Sequence, residues 1–145
     1  MGSLLELPEL PPNAELLDFL RHQASPPAGS DDYTLGSWQL HTHPDLLSRL
    51  RELAPGWPLT AAYGVPLLAC QGIAAAAALG TDWLAVRTGD PPPPAVAADP
   101  APWWPFVPGD WHLISPWPHG LTRADSVRVL RALVSAALAY AGSLA

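Results

Sequence analysis

The sequence predicts an α+β domain: an antiparallel sheet of about four to five strands, with helices packed on one face and a long C-terminal helix. Three observations lead there. Segments at 14–24, 44–54 and 122–141 carry apolar residues at the three-and-four spacing of amphipathic helices. Between residues 63 and 88, apolar runs of four to seven residues are cut by glycine-bearing turns, the pattern of a β-meander. Helices gathered at the ends and strands in the middle place the helices against a face of an antiparallel sheet.

The elements follow in chain order. Residues 1–12 read as an irregular leader, and Pro11-Pro12-Asn13 sets up a helix start with Asn13 as N-cap. Leu16, Leu17, Phe19 and Leu20 supply the apolar stripe of a helix over 14–24. Ser25 to Asp32 is a loop rich in Ser, Pro, Gly and Asp, where Asp31 and Asp32 are explained by solvation, and Tyr33 to Leu40 alternates as one strand. Pro44 and Asp45 open a second helix: proline suits the first helical turn, and an acid there meets the positive end of the dipole. Leu46, Leu47, Leu50 and Leu53 continue it until Pro55-Gly56 stops it, with Thr42 or His43 near the cap.

In the meander, Leu67–Cys70, Ile73–Leu79 and Trp83–Thr88 are expected strands. Ala74 to Ala78 has high helix propensity, but seven residues between Gly72 and Gly80 are too few for a stable helix. A strand with small side chains, packed closely on both faces, is the expectation, with a helix over 73–79 as the rival. The chain then changes character over 89–109. Pro91 to Pro94 is expected to run as polyproline II and project as a loop, followed by a strand over Asp110–Ser115. In the closing segment Thr122-x-x-Asp125 resembles a capping box. Val127, Leu130, Val134, Ala137 and Ala141 mark its apolar face, with Gly142 as its end.

Composition excludes several classes of function. At 145 residues the chain is read as one domain. One cysteine, Cys70, forbids an internal disulfide and sits in an apolar run without a His or Asn beside it, so a nucleophilic role is not expected. The N-terminus has neither a basic segment nor a continuous apolar one, and no apolar run approaches the roughly 18 residues of a membrane span. A soluble, cytoplasmic protein is expected. There is no lysine, and seven arginines face thirteen acids for a net charge of −6. Such a chain lacks the basic face that nucleic acid requires. Arg128 and Arg131, with Arg123 nearby, are the candidate anion contacts, although an arginine pair on a helix more often marks a solvated face. The glycines at 64, 72 and 80 are spaced like hairpin turns and not like a phosphate-binding loop.

The chemically most suggestive stretch is His41-Thr42-His43-Pro44. It resembles the metal-binding signature of the JAMM-type zinc proteases, in which two histidines are joined by a downstream Ser-x-x-Asp and an upstream Glu. That resemblance implies zinc held by His41 and His43 in a metal-dependent hydrolase. Here, however, Ser48 is followed three positions on by Arg51, a cation where the third ligand would stand. A catalytic zinc takes three protein ligands, so a helix entrance is the better account of these four residues unless Asp110, His112 or His119 converges on them.

No complete catalytic constellation is present, and no catalytic residue is assigned. The expected function is that of a small non-enzymatic protein-interaction module, a regulator, adaptor or immunity-type inhibitor, that needs no cofactor. Its expected contact residues are Trp103, Trp104, Phe106 and Trp117, since large aromatics in a proline-rich segment either cap the core or meet a partner. Beyond the residues themselves, the order of glycine turns and strands over 63–88, with a Trp-containing strand and closing helix over 110–141, resembles the TfoX N-terminal and YjbR-like small domains. The resemblance covers about half the chain, implies an α+β fold, and departs in lacking their basic character.

Overall fold

The computed structural model describes residues 5–23, 34–35, 38–39, 42–79, 83–98 and 110–145. The fold is α+β. Strands β1 (Leu5–Glu6), β4 (Thr60–Ala62), β5 (Val65–Cys70), β6 (Ile73–Leu79), β7 (Trp83–Arg87) and β8 (Trp111–Ile114) form one sheet in the order β1-β4-β5-β6-β7-β8. The last five pair antiparallel, and β1 lies parallel to β4 at the edge. A separate hairpin joins β2 (Thr34–Leu35) to β3 (Trp38–Gln39). The helices are α1 (Ala14–Gln23), α2 (Pro44–Leu53) and α3 (Arg123–Ser143).

Turn chemistry sets the central register. Tyr63 and Gly64 both have positive φ, as do Gln71 and Gly72, and each pair joins strands directly matched at Ala62↔Val65 and Cys70↔Ile73. Two successive positive φ values match the type I′ hairpin turn, whose twist suits the flanking strands. The alanine-rich segment is a strand, not a helix. Its pairing with β5 skips from Ala76 to Ala74 opposite Leu68 and Ala69, which makes Ala75 the extra residue of a β-bulge. The bulge turns Ala75 and Ala76 toward the same face.

Both faces of the sheet are covered. On one, Leu46, Leu50 and Leu53 of α2 and Leu130, Val134, Ala137 and Ala141 of α3 pack on Leu68, Ala75, Ala76, Ala78, Leu84 and Ile114. These are the expected helices on one face. On the other, Leu16, Phe19 and Leu20 of α1 pack with Leu67, Ala74, Ala77, Ala85 and Leu113. Seven consecutive buried residues, five of them alanines, let helices close on both sides of β6. Each fully buried leucine contributes about 2 kcal/mol of transfer free energy.

Several expectations are corrected. The leader is not wholly irregular, because Leu5–Glu6 pairs with Thr60–Ala61. Asn13 ends a one-turn 3₁₀ helix (Pro11–Asn13), and its side chain bonds the sheet: Nδ2 donates to Pro8 O and Gly72 O, while Oδ1 accepts from Ala74 N. Within the single strand expected over 33–40, the described residues instead form two short strands, β2 and β3, paired antiparallel at Leu35↔Trp38. The proline run does not lead away from the molecule: Val96 N–H and Ala97 N–H donate to Pro93 O, Val96 is buried, and Ala97 bridges Ile114 at the free edge of β8. Gly142 lies inside α3 and does not end it.

Candidate functional site

The entrance to α2 organises one end of the molecule. His43 is its N-cap, with Nδ1 accepting from Asp45 N at 3.1 Å, and Pro44 opens the helix. Thr42 is fully buried, and its hydroxyl donates to Ala78 O, which ties the helix entrance to β6. The His-Thr-His-Pro sequence therefore does structural work at Thr42 and His43. His41 lies outside the described residues. Among those described, no group of three or more His, Cys, Asp or Glu side chains could hold a metal ion.

Of the other residues weighed as distant ligands, Asp110 is engaged by its own partners. Asp110 Oδ2 accepts from Arg87 Nε at 2.9 Å and from Tyr140 Oη at 3.2 Å, and Arg87 also donates to Pro12 O and lies over the Trp111 ring. This cluster fastens the end of α3 to the end of β7 and to the 3₁₀ turn before α1. Burial, followed by the Asp110 carboxylate, pushes the Tyr140 hydroxyl above its ordinary pKa, because both oppose a phenolate. His112 stands on β8 with Nε2 buried and without a hydrogen-bond partner among the described residues, and His119 is exposed.

On α2, the buried Arg49 links three segments. Its Nε donates to Pro116 O at 2.8 Å, Nη1 to Glu52 Oε1 at 2.6 Å, and Nη2 lies 3.5 Å from Ser126 Oγ. The Arg49 hydrogen bond, helped by the charges of Arg49, Arg123 and Arg131, holds the Glu52 carboxyl below the usual range. A guanidinium removed from water is tolerated because its donors are matched.

That network presents Trp117. Pro116 and Pro118 on either side are buried, the Pro116 carbonyl is fixed by Arg49, and Trp117 between them is 43% exposed. The other three aromatics expected to meet a partner, Trp103, Trp104 and Phe106, lie outside the described residues. Arg128 and Arg131 do not form a shared anion site: Arg128 pairs with Asp125 at 3.1 Å, and Arg131 Nε donates to Glu52 O at 3.0 Å.

A second outward indole was missed from the sequence. Trp57 is 41% exposed, and its Nε1–H donates to Ala69 O at 2.9 Å, satisfying a β5 carbonyl beyond the end of β4. Pro55-Gly56 was legible as a helix stop, and it is more: Trp57 N–H donates to Ala54 O and Gly56 has φ +78°, the pattern of a type II turn that brings the ring back beside α2. Together with Arg51, Ala54, Gly56 and Leu59 it lines a solvent-open cavity of about 340 Å³. A cavity of the same volume lies at Leu10, Pro11, Leu17 and Tyr63. Among the described residues no helix is long and apolar enough to cross a membrane.

Comparison with models of known protein families, with curated proteins and with solved structures found no significant match to this chain.

Proposed function

We propose that this chain is a non-enzymatic protein-interaction module that engages a protein partner through its Pro/Trp-rich stretch, with Trp117 as a central contact and Trp103, Trp104 and Phe106 contributing from the same stretch. The observation that carries this reading is the presentation of Trp117: a large ring left 43% exposed between two buried prolines. Tryptophan is among the residues that most often dominate interface energetics, and a backbone already fixed on either side of the ring forfeits little entropy on binding. The buried Arg49 beneath Pro116 supplies that rigidity. A regulator, adaptor or inhibitor would use such a surface without any reaction centre.

The test is a photo-cross-linking residue at position 117, used to capture and identify the partner, followed by affinity measurements with purified proteins. Trp117→Ala should weaken the captured complex by about 30-fold, the effect of losing a hot-spot side chain, while the thermal midpoint stays close to that of the wild type. Undiminished affinity for Trp117→Ala would overturn the reading. So would a collapse in stability, because the ring would then be serving the core.

A further inference from the structure

We propose that Arg51 and Trp57 form a recognition pocket for an acidic segment of a protein partner, one that presents a carboxylate next to an apolar side chain. The inference rests on the reading of the chain as a protein-binding module but not on Trp117, which belongs to a different segment.

The charges are the first observation. All seven arginines are described, and six of them have polar partners: Arg21 with Asp18, Arg49 with Glu52 and Pro116, Arg87 with Asp110, Arg123 with Glu52, Arg128 with Asp125 and Arg131 with Glu52 O. The guanidinium of Arg51 has none among the described residues, and it is exposed. In a chain without lysine, this leaves Arg51 as the arginine with neither a hydrogen bond nor an ion pair among the described residues, Arg123 being held only by a 4.0 Å contact to Glu52. The neighbouring acid does not compensate it, since the Glu52 carboxylate is bonded to Arg49.

The placement is the second observation. Arg51 lines the open cavity of about 340 Å³ with Ala54, Gly56, Trp57 and Leu59. The indole is fixed by its bond to Ala69 O and by the turn at Gly56, so the apolar wall is built before anything binds. A guanidinium with free donors recognises a carboxylate through two parallel N–H···O bonds, and an indole beside Leu59 suits an aliphatic or aromatic side chain. A ligand combining both groups meets both walls.

Charge complementarity on a larger scale selects an acidic occupant. Helices α2 and α3 carry five of the seven arginines and three of the thirteen acids, so the rest of the chain carries two arginines and ten acids. Arg131 approaches the carbonyl of Glu52, the residue next to Arg51, and adds to the positive field there. The net charge of −6 would repel an acidic partner from most of the surface and leave this side as the favourable approach.

The probe is a short blocked peptide, acetyl-Ser-Leu-Glu-Leu-Ser-amide, compared with its Glu→Gln counterpart. The readouts are the indole N–H resonance of Trp57 and the guanidinium Nε–H resonance of Arg51 in the isotopically labelled full chain. Saturable shifts at both are expected, with affinity about ten-fold lower for the Gln peptide and for Arg51→Gln protein, and falling as salt is raised. Arg51 bonds no other side chain among the described residues, so Arg51→Gln should melt with the wild type. Equal binding of the two peptides, undiminished binding by Arg51→Gln, or no saturable shift at millimolar peptide overturns the proposal. Shifts at Trp117 without shifts at Trp57 overturn it while leaving the Trp117 reading intact. Concentration-dependent shifts of these resonances without peptide would also overturn it, by assigning the pocket to a second copy of the chain.

Discussion

Asn13 Oδ1 accepts a hydrogen bond from Ala74 N at 2.9 Å, across a sequence separation of 61 residues. Ala74 lies directly before the bulged Ala75, and the Asn13 amide also donates to Gly72 O and Pro8 O. One buried side chain therefore satisfies the backbone at the β5–β6 hairpin and fixes the approach to α1. Buried donors and acceptors left without partners each cost 1–3 kcal/mol, which is why a polar residue is retained at this position.

Asn13→Ala should destabilise the protein by about 3 kcal/mol, through loss of the bonds to Ala74, Gly72 and Pro8. Asn13→Asp should do no better, because a carboxylate keeps the acceptor but turns its second oxygen toward the carbonyls of Gly72 and Pro8. Urea unfolding of the three proteins checks this. Wild-type stability in Asn13→Asp would show that the two donated bonds contribute nothing.

Acid sensitivity should involve Glu52. Arg49 lowers its folded pKa below the ordinary value of 4.5, so its contribution is complete above about pH 4.5 and lost as pH falls through the lower folded value. Glu52→Gln cannot titrate. The thermal midpoint of the variant should therefore decline less steeply than that of the wild type on going from about pH 5 to pH 3. Parallel curves would remove Glu52 from the account of acid unfolding.

Gly142 illustrates a glycine kept for space. A Cβ at that position would sit 3.1 Å from Cys70 Sγ and 3.7 Å from Gln71 Nε2, so alanine fits there only if the Cys70 sulfur gives way by a few tenths of an ångström. Alanine is worth about 1 kcal/mol over glycine within a helix, but here the contact opposes that gain. Gly142→Ala should accordingly be more favourable in a Cys70→Ala background than in the wild type, by about 0.5–1 kcal/mol in a double-mutant cycle. A coupling energy of zero would mean that the sulfur moves aside freely.

Much of the fold was legible because its signals are local. Pro44, Asp45 and the leucines at 46, 50 and 53 mark α2 and its buried face, and Thr122 caps α3 by accepting from Asp125 N at 3.0 Å. Gly64 and Gly72 announced hairpins, and the short alanine run between glycines is the strand that its length implied. The two-residue strand Leu5–Glu6 has no period to read, since it is defined only by its partner at Thr60–Ala61. The role of Asn13 was hidden for a related reason: a residue suited to capping the next helix had a stronger claim on it from Gly72 and Ala74.

The candidate sites divide in the same way. Trp117 attracted notice by residue type and proline context, whereas Arg51 stood out only as the cation in place of a third metal ligand and Trp57 not at all. Only their convergence on one cavity distinguishes them. For His43, the backbone of its own helix decided the outcome, by supplying the Asp45 N–H that its ring nitrogen accepts.

By itself the sequence determined the longer elements and their apolar faces, because helix and strand periodicity, capping and turn conformation depend on residues within a few positions of one another. Tertiary structure decided which face α1 covers, where β6 bulges, which arginines are spent on internal bonds and which indoles remain outside. Those outcomes depend on distance in space between residues far apart in the chain, and each is settled by whether a buried polar group finds its partner when the helices close on the sheet.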